Sequence, residues 1–299
     1  MGNYKTAACR QPYLRATLKA SCNNKKFARL QACARAVAEK CSRNRVTGKD
    51  LQQLDNSKDA NTDPVVQPES AVFLHIQKTA GTSIVNTARR YYGEITSHGD
   101  CWGHRPEEFN DVRFVSGHIG YDFAKSLIPS RYSFVFLRNP VERVLSLYYF
   151  CRTRDPDEFP IYGKASELDL EGFLKAGFTD PVVRNNIWNN QVWQLAHGYA
   201  NLDKRQINDF EPGHLLELAT AHLEQLSYIG FTETFAEDRI AVLKGLGLPL
   251  TEECDVVNSN PGRPTAKDIS SSALKLLGQL THLDQLLYDK AIALHNKQD

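Results

Sequence analysis

The chain has 299 residues and a hydrophobic fraction of 41%, which suits one large globular domain with an extension. No run of residues approaches the roughly 18 apolar positions of a membrane-spanning helix, and no signal-peptide core is visible near the start. The formal net charge is only +1, and we expect no nucleic-acid partner.

The charge is unevenly distributed along the chain. Residues 1–49 hold 12 Lys and Arg and one acidic residue, whereas the remainder is acidic. This asymmetry predicts a basic helical N-terminal extension with a polar linker over residues 1–68, followed by the main domain over residues 69–299. An organelle transit peptide within residues 1–49 and N-myristoylation at Gly2 stay open as alternatives. The seven cysteines lack zinc-type spacing, so we expect reduced thiols and a cytoplasmic or soluble intracellular protein, with disulfides in the extension as the alternative.

Apolar periodicity predicts strands that alternate with helices through the main domain. In chain order, strands are predicted at Ala71–Ile76, Val112–Ser116, Ser133–Leu137 and Tyr228–Phe231. Helices are predicted directly after Ser83 and at Val141–Cys151, Leu168–Lys175, Val182–Ala196, Pro212–Leu226, Phe235–Leu246 and Leu274–His295, with a polar loop over residues 152–165. Because this alternation requires crossover connections, we predict an α/β, P-loop-like three-layer fold with a central, mainly parallel sheet.

The first strand runs into a turn of small and polar residues, Gln77–Ser83, and a helix starts directly after it. The N–H groups of such a turn and the positive end of the helix converge on one point, where an anion can bind. Lys78 adds a full charge there, and Thr82 adds a hydroxyl donor. A Walker A loop is absent because the lysine precedes Gly81, which argues against ordinary ATP or GTP hydrolysis. The turn therefore predicts a phosphate or sulfate site, and a strand–helix turn with an incidental lysine is the alternative.

A second motif, FVFLRNPVERVLSLYY, covers residues 134–149. Arg138 follows the end of a predicted strand, which is the edge where open α/β sheets bind their ligands. Ser146 lies eight residues later, about two turns into the next helix. An arginine and a serine placed in this way can hold a second anionic group. A salt bridge between Arg138 and Glu142 at the helix start is the alternative.

Together, HIQKTAGTS and LRNPVERVLSLYY resemble the motifs of sulfotransferases that use 3′-phosphoadenosine 5′-phosphosulfate. The likeness is greatest to the branch with the heparan sulfate 2-O- and 6-O-sulfotransferases and their bacterial relatives, and it covers about residues 70–296. It implies that the first loop binds the 5′-phosphosulfate through Lys78, Thr79, Ala80, Gly81, Thr82 and Ser83. It also implies that Arg138 and Ser146 bind the 3′-phosphate and that Arg263, in a later loop, is a third nucleotide ligand. This chemistry requires no metal.

His118 is the predicted catalytic base. It lies directly after a predicted strand, and relatives in this branch place their base histidine in a similar segment. A histidine suits proton removal from an acceptor hydroxyl because its pKa lies near neutrality. A histidine that is bonded in a turn or that only positions the substrate is the alternative. For the acceptor pocket we predict six residues, which are His98, Trp102, His104, Tyr121, Asn190 and Trp193.

The implied reaction is in-line transfer of the sulfuryl group to a hydroxyl, or an amine, of a small-molecule or oligosaccharide acceptor. His118 takes the acceptor's proton, while Lys78 and the N–H groups of the turn stabilise charge on the leaving oxygen. The acidic body of the chain favours a small molecule over an anionic glycan. Two other classes stay open: a nucleotide or small-molecule kinase with an atypical phosphate loop, and a non-catalytic nucleotide- or glycan-binding relative. Missing metal carboxylates argue against the first, and the presence of His118 argues against the second.

Overall fold

A computed structural model of the protein describes residues 69–198, 207–250 and 263–296. The predicted extension and linker over residues 1–68 lie outside the described residues, together with the transit-peptide and Gly2 alternatives. Most of the predicted loop Asn258–Pro264 lies outside them as well. The division of the chain at residue 68 therefore stays a prediction.

Four parallel strands form the central sheet, in the order β2-β1-β3-β4. They are β1 (Ala71–Leu74), β2 (Phe114–Gly117), β3 (Tyr132–Leu137) and β4 (Tyr228–Phe231). In register, Leu74 lies beside Gly117 of β2 and Val135 of β3, and Leu137 lies beside Phe231 of β4. Each predicted strand is confirmed to within two residues at either end. Every pairing between the described strands is parallel, as the crossover pattern predicted.

The helices supply the crossovers between the strands. In chain order they are α1 (Gly81–Ala88), α2 (Tyr121–Ala124), α3 (Pro140–Cys151), α4 (Pro160–Glu167), α5 (Leu170–Ala176), α6 (Pro181–Ile187), α7 (Asn190–Ala196), α8 (Pro212–Leu223), α9 (Phe235–Gly245), α10 (Ser271–Leu280) and α11 (His282–His295). Short 3₁₀ helices occur at Pro106–Phe109, Ile128–Ser130 and Ile207–Asp209. A helix able to span a bilayer is not found among the residues that the structure describes.

Helices cover both faces of the sheet. Val72, Leu74 and Val135 pack against α2, α7, α8 and α11 on one face. Phe73 and Phe134 pack against α1 and α9 on the other. Because both faces are buried, the strands read as continuous apolar runs rather than as alternating ones. The predicted three-layer α/β architecture is confirmed, and a separate apolar cluster joins α3, α4, α5, α6 and α10.

Two helices that were predicted as continuous are interrupted. The predicted helix Val182–Ala196 is α6 and α7, because Asn189 between them adopts a left-handed conformation with φ 44°. The predicted helix Leu274–His295 is likewise α10 and α11. The N–H of Asn189 donates to the carbonyl of Leu280 at the end of α10, and its Oδ1 accepts from the N–H of Leu283 in α11, both at 2.9 Å. The two breaks therefore form one packed junction, which periodicity within either helix does not reveal.

Candidate active site

A cavity of about 1030 Å³ lies at the carboxyl ends of the strands. The residue directly after each of the four strands lines it, namely His75, His118, Arg138 and Thr232. In the order β2-β1-β3, the chain that leaves β1 leads to β2 on one side of β1, and the chain that leaves β2 leads to β3 on the other side. This is a topological switch point, where open α/β sheets bind ligands. Pockets for small molecules usually have volumes of roughly 300–1,000 Å³, so this cavity is large for a single small-molecule ligand.

The turn between β1 and α1 has an unusual backbone. Lys78 has φ 68° and Ala80 has φ 65°, which is left-handed geometry that costs about 1–3 kcal/mol for a non-glycine residue. At Gly81 an added Cβ would lie 2.3 Å from Cδ2 of His75 and 2.8 Å from Cζ of Phe73. Only glycine therefore lets the start of α1 approach the end of β1 this closely. Because the first N–H groups of a helix have no intrahelical partner, they can bind an anion here.

The ammonium group of Lys78, in this turn, lies over an aromatic ring. Its Nζ lies 3.6 Å from the ring centroid of Phe150. Burial is the main cause that lowers the pKa of Lys78 to about 8, and the charges of Arg138 and other nearby arginines contribute. An anion bound beside the ammonium group favours its charged form. The lysine is therefore a partly desolvated cation that gains charge when an anion binds.

Arg138 connects the two motifs. Its Nη1 donates to the carbonyl of Lys78 at 3.1 Å. Its own N–H donates to Oε1 of Gln191 at 3.0 Å, and its carbonyl accepts from Nε2 of Gln191 at 2.9 Å. The Nε of Arg138 is buried and has no hydrogen-bond partner among the described residues. A half-buried guanidinium whose buried Nε–H has no partner in the described part of the chain is suited to an anionic ligand.

Glu142 forms its ion pair with Arg263 rather than with Arg138. The distance from Arg263 Nη2 to Glu142 Oε2 is 2.6 Å. The other carboxylate oxygen of Glu142 accepts from the N–H of Ala266 at 3.0 Å. Arg263 lines the cavity together with Arg138 and with Ser146 on α3. The structure therefore brings Arg138 and Ser146, the two residues predicted for the 3′-phosphate, to one cavity with Arg263, the third predicted nucleotide ligand.

His118 lies in a cluster of three histidine rings. The rings of His75, His98 and His118 have centroid distances of 4.8, 5.5 and 5.7 Å. Nδ1 of His118 is 2.8 Å from the carbonyl oxygen of His75. Since a carbonyl can only accept, Nδ1 carries the hydrogen, and Nε2 carries the lone pair of the neutral ring. Burial lowers the pKa of His118 to about 4, so the ring is neutral at neutral pH.

The predicted acceptor residues separate into two groups. His98 and Trp102 line the cavity, and the indole N–H of Trp102 donates to the carbonyl of His118 at 3.2 Å. The other four are not among the lining residues, and their acceptor role stays a prediction: His104, Tyr121, Asn190 and Trp193. Trp193 packs in the core beside the sheet.

Two predicted residues of the turn, Thr79 and Ser83, are not among the described residues that line the cavity. Thr79 is fully buried, and its Oγ1 donates to the carbonyl of Ile76 at 2.9 Å. Ser83 is also buried and is absent from the lining, whereas Thr82 is part of it. The Thr79 hydroxyl therefore fixes the bend that leaves β1. Ligand contacts of Thr79 and Ser83 stay predictions.

An aromatic wall of the cavity was not predicted from the sequence. Phe150, Phe159 and Tyr162 line the cavity, and Tyr162 makes edge-to-face contacts with both other rings. The predicted polar loop over residues 152–165 contains the start of α4, which carries part of this wall. A signal existed for one ring, since Phe150 lies one helical turn after Ser146 on the same face of α3.

The charges around the cavity are of one sign. Lys78, Arg138, Arg154 and Arg263 line it, whereas its described lining residues include no Asp or Glu. The guanidinium carbon of Arg154 lies 4.3 Å from the ring centroid of Phe150. Within the described part of the chain, no group of His, Cys, Asp and Glu could hold a metal ion. The wall favours a polyanionic ligand and offers no counter-charge to a cationic one.

The sequence matches a known protein family, and two solved structures of low sequence identity are similar to the chain. The profile of the sulfotransferase family matches residues 65–290. Among solved structures, the chain is similar to mouse sulfotransferase SULT7A1 complexed with PAP, at 11% identity and a TM-score of 0.43, over 76% of this chain and 89% of that one. It is also similar to a sulfotransferase from Alicyclobacillus acidocaldarius, at 14% identity and a TM-score of 0.40, over 75% of this chain and 95% of that one. Among curated proteins, none matches the chain significantly.

Proposed function

Because the chain belongs to the sulfotransferase family, we propose that it transfers the sulfuryl group of 3′-phosphoadenosine 5′-phosphosulfate to the hydroxyl of a small-molecule acceptor. The observation that carries the proposal is the wall of the cavity at the strand ends, which has four cations and no carboxylate among its described residues. The donor has three anionic groups, and this wall complements them.

The residues that line the cavity can bind both the 5′-phosphosulfate and the 3′-phosphate of the donor. The start of α1, at Gly81 and Thr82, and the Lys78 ammonium group would hold the 5′-phosphosulfate. Arg138 and Arg263 would hold the 3′-phosphate, and the buried, unpartnered Nε of Arg138 supports this role. An ATP-dependent kinase would need carboxylates for Mg²⁺ beside the phosphates. Their absence from the described lining favours the phosphosulfate donor over ATP.

His118 and Lys78 carry the chemistry in this proposal. Nε2 of His118 accepts the proton of the acceptor hydroxyl while the acceptor oxygen forms its bond to sulfur. The bond between sulfur and the bridging phosphate oxygen breaks, and Lys78 stabilises the negative charge that this oxygen acquires. The products are a sulfate ester and adenosine 3′,5′-bisphosphate, with the proton left on His118. The mechanism uses no metal ion.

The cavity favours an uncharged hydroxyl acceptor over an amine. An ammonium group would find no carboxylate among the described lining residues. Phe159 and Tyr162 offer ring faces and edges to an apolar or planar body. An oligosaccharide would need partners for several hydroxyls, and these two rings offer only the hydroxyl of Tyr162. A small molecule with an apolar body is therefore the proposed acceptor class.

A ligand comparison tests the donor assignment. Adenosine 3′,5′-bisphosphate at 100 times its dissociation constant should stabilise the protein by about 2.7 kcal/mol, which raises the melting temperature by roughly 5–11 °C. ATP with Mg²⁺ at the same concentration should raise it much less. The reverse order would refute the sulfotransferase assignment and favour the kinase. Turnover with a labelled sulfate donor and a panel of phenols, alkyl alcohols and monosaccharides then tests the acceptor class.

A further inference from the structure

We propose that Glu142 is a positioning residue that holds Arg263 ready for the nucleotide without itself touching the ligand. The inference rests on the proposed function, because Arg263 is assigned there to the 3′-phosphate. It concerns a carboxylate that lies behind the cavity wall, since Arg263 is a lining residue and Glu142 is not.

The first support is the geometry of the carboxylate. Oε2 of Glu142 lies 2.6 Å from Nη2 of Arg263, and Oε1 accepts from the N–H of Ala266 at 3.0 Å. The side chains are only 25% and 14% exposed for Glu142 and Arg263, so the pair is largely shielded from solvent. Burial raises the pKa of Glu142, but the bonds from Arg263 and Ala266 outweigh it and leave that pKa below its usual range. One carboxylate thus fixes both the guanidinium and the backbone that carries it.

The second support is the place of Glu142 in the fold. It lies in the first turn of α3, and its N–H donates to Oδ1 of Asn139 at 3.2 Å. Arg138 comes directly before this cap and has its own backbone fixed by Gln191. Because Arg138 and Glu142 are both fixed at the start of α3, the ion pair with Glu142 also sets the position of Arg263 relative to Arg138. Since a guanidinium has five N–H donors, Arg263 keeps donors for a phosphate while it is paired.

The third support is electrostatic. Burial is the main cause that lowers the pKa of Arg138, and the charge of Arg263 lowers it further, whereas the charges of Glu233 and Glu142 raise it. Before an anion arrives, two arginines that face one cavity repel each other. Glu142 offsets this repulsion from behind the wall, so that both guanidinium groups stay in place. A competing possibility is that Glu142 withholds Arg263 from the ligand, and this predicts the opposite sign of effect.

The test uses the full chain and the affinity for adenosine 3′,5′-bisphosphate, measured by isothermal calorimetry. Glu142→Gln should weaken binding about tenfold, equivalent to about 1.4 kcal/mol. Arg263→Ala should weaken binding as well, and the double variant should be no weaker than Arg263→Ala alone. Glu142→Asp, which keeps the charge, should recover part of the loss and gives a second measurement if Glu142→Gln folds poorly. In turnover, Glu142→Gln should raise KM for the donor and leave KM for the acceptor unchanged.

A matched control separates positioning from a general effect on helix starts. Glu171 also lies in the first turn of a helix, α5, and its carboxylate accepts from the hydroxyls of Ser270 and Ser272. Glu171→Gln should leave the affinity unchanged. Unchanged or tighter binding by Glu142→Gln, or a further loss in the double variant, would overturn the inference. No binding by the unaltered chain would instead refute the proposed function, and the inference with it.

Discussion

Substitution of Gly81 by alanine tests the close approach of α1 to β1. The new Cβ would lie 2.3 Å from Cδ2 and 2.4 Å from Nε2 of His75, and 2.8 Å from Cζ of Phe73. Both neighbours are buried, His75 at 2% exposure and Phe73 at 0%, and their rings stack on each other, so neither can move without disturbing the other. Normal contact distances require a shift of about 1 Å, either of these rings or of the start of α1.

The shift has consequences for stability and for binding. Overpacking of this kind costs about 1–3 kcal/mol, which lowers the melting temperature of a domain of this size by roughly 2–12 °C. The carbonyl of His75 accepts from His118 at 2.8 Å and from Gln194 at 3.0 Å, so movement of His75 also displaces the proposed base. We expect at least a tenfold loss of affinity for adenosine 3′,5′-bisphosphate, measured by calorimetry alongside thermal unfolding.

Gly278→Ala is the matched control. Gly278 lies inside α10, and an added Cβ would meet nothing within 4 Å. Alanine should therefore stabilise this helix by up to about 1 kcal/mol and leave nucleotide affinity unchanged. If Gly81→Ala behaved like Gly278→Ala in both assays, the steric account of the turn would be wrong.

Four further predictions concern the proposed chemistry. His118→Ala should keep the affinity for adenosine 3′,5′-bisphosphate and lower kcat by roughly 10²-fold or more; retained turnover would remove His118 as the base. Because the pKa of His118 is lowered to about 4 in the free protein, the acidic limb of kcat/KM for the donor should lie near pH 4 rather than near the value of an ordinary histidine, in a profile measured at donor concentrations well below KM. Because Lys78 has a pKa of about 8 and must be charged to hold the anion, affinity for the nucleotide should fall as pH rises through 8, and a flat calorimetric profile would contradict this. Gln191→Ala should lower both stability and nucleotide affinity, since the Arg138 N–H and carbonyl each lose a partner worth about 1–3 kcal/mol; unchanged affinity would show that Arg138 needs no such support.

The sheet and its ligand edge were predictable from the sequence because their signals are local. Buried parallel strands read as continuous apolar runs, and β1 to β4 appear within two residues of their predicted positions. The residues that follow strands are then known from the strand ends alone. For this reason the sequence predicts His118 and Arg138 at the ligand edge of the sheet, and both line the cavity there.

The parts that the sequence did not reveal depend on contacts between distant segments. Glu142 and Arg263 are 121 residues apart, and no periodicity connects them. Asn189 breaks a helix because its backbone and side chain bond to the junction of α10 and α11. The aromatic wall was hidden because Phe159 and Tyr162 lie in a segment whose polar composition is typical of a loop. In each case the residue type is visible in the sequence, and only the tertiary packing determines its partner.

The two proposed halves of the site differ in how they are anchored. Lys78 and Arg138 follow β1 and β3, which are neighbouring strands, and a hydrogen bond of 3.1 Å joins them directly. The distance between the phosphosulfate and 3′-phosphate sites is therefore set by the pairing of the sheet, which cannot change without loss of the fold. Phe150 lies instead near the end of α3, Phe159 directly before α4, and Tyr162 within α4, away from the strands. Substitution of Phe159 or Tyr162 should therefore alter the choice of acceptor while the donor affinity stays constant, because these residues lie outside the sheet. Substitution of Phe150 should alter the donor affinity as well, because its ring centroid lies 3.6 Å from Nζ of Lys78.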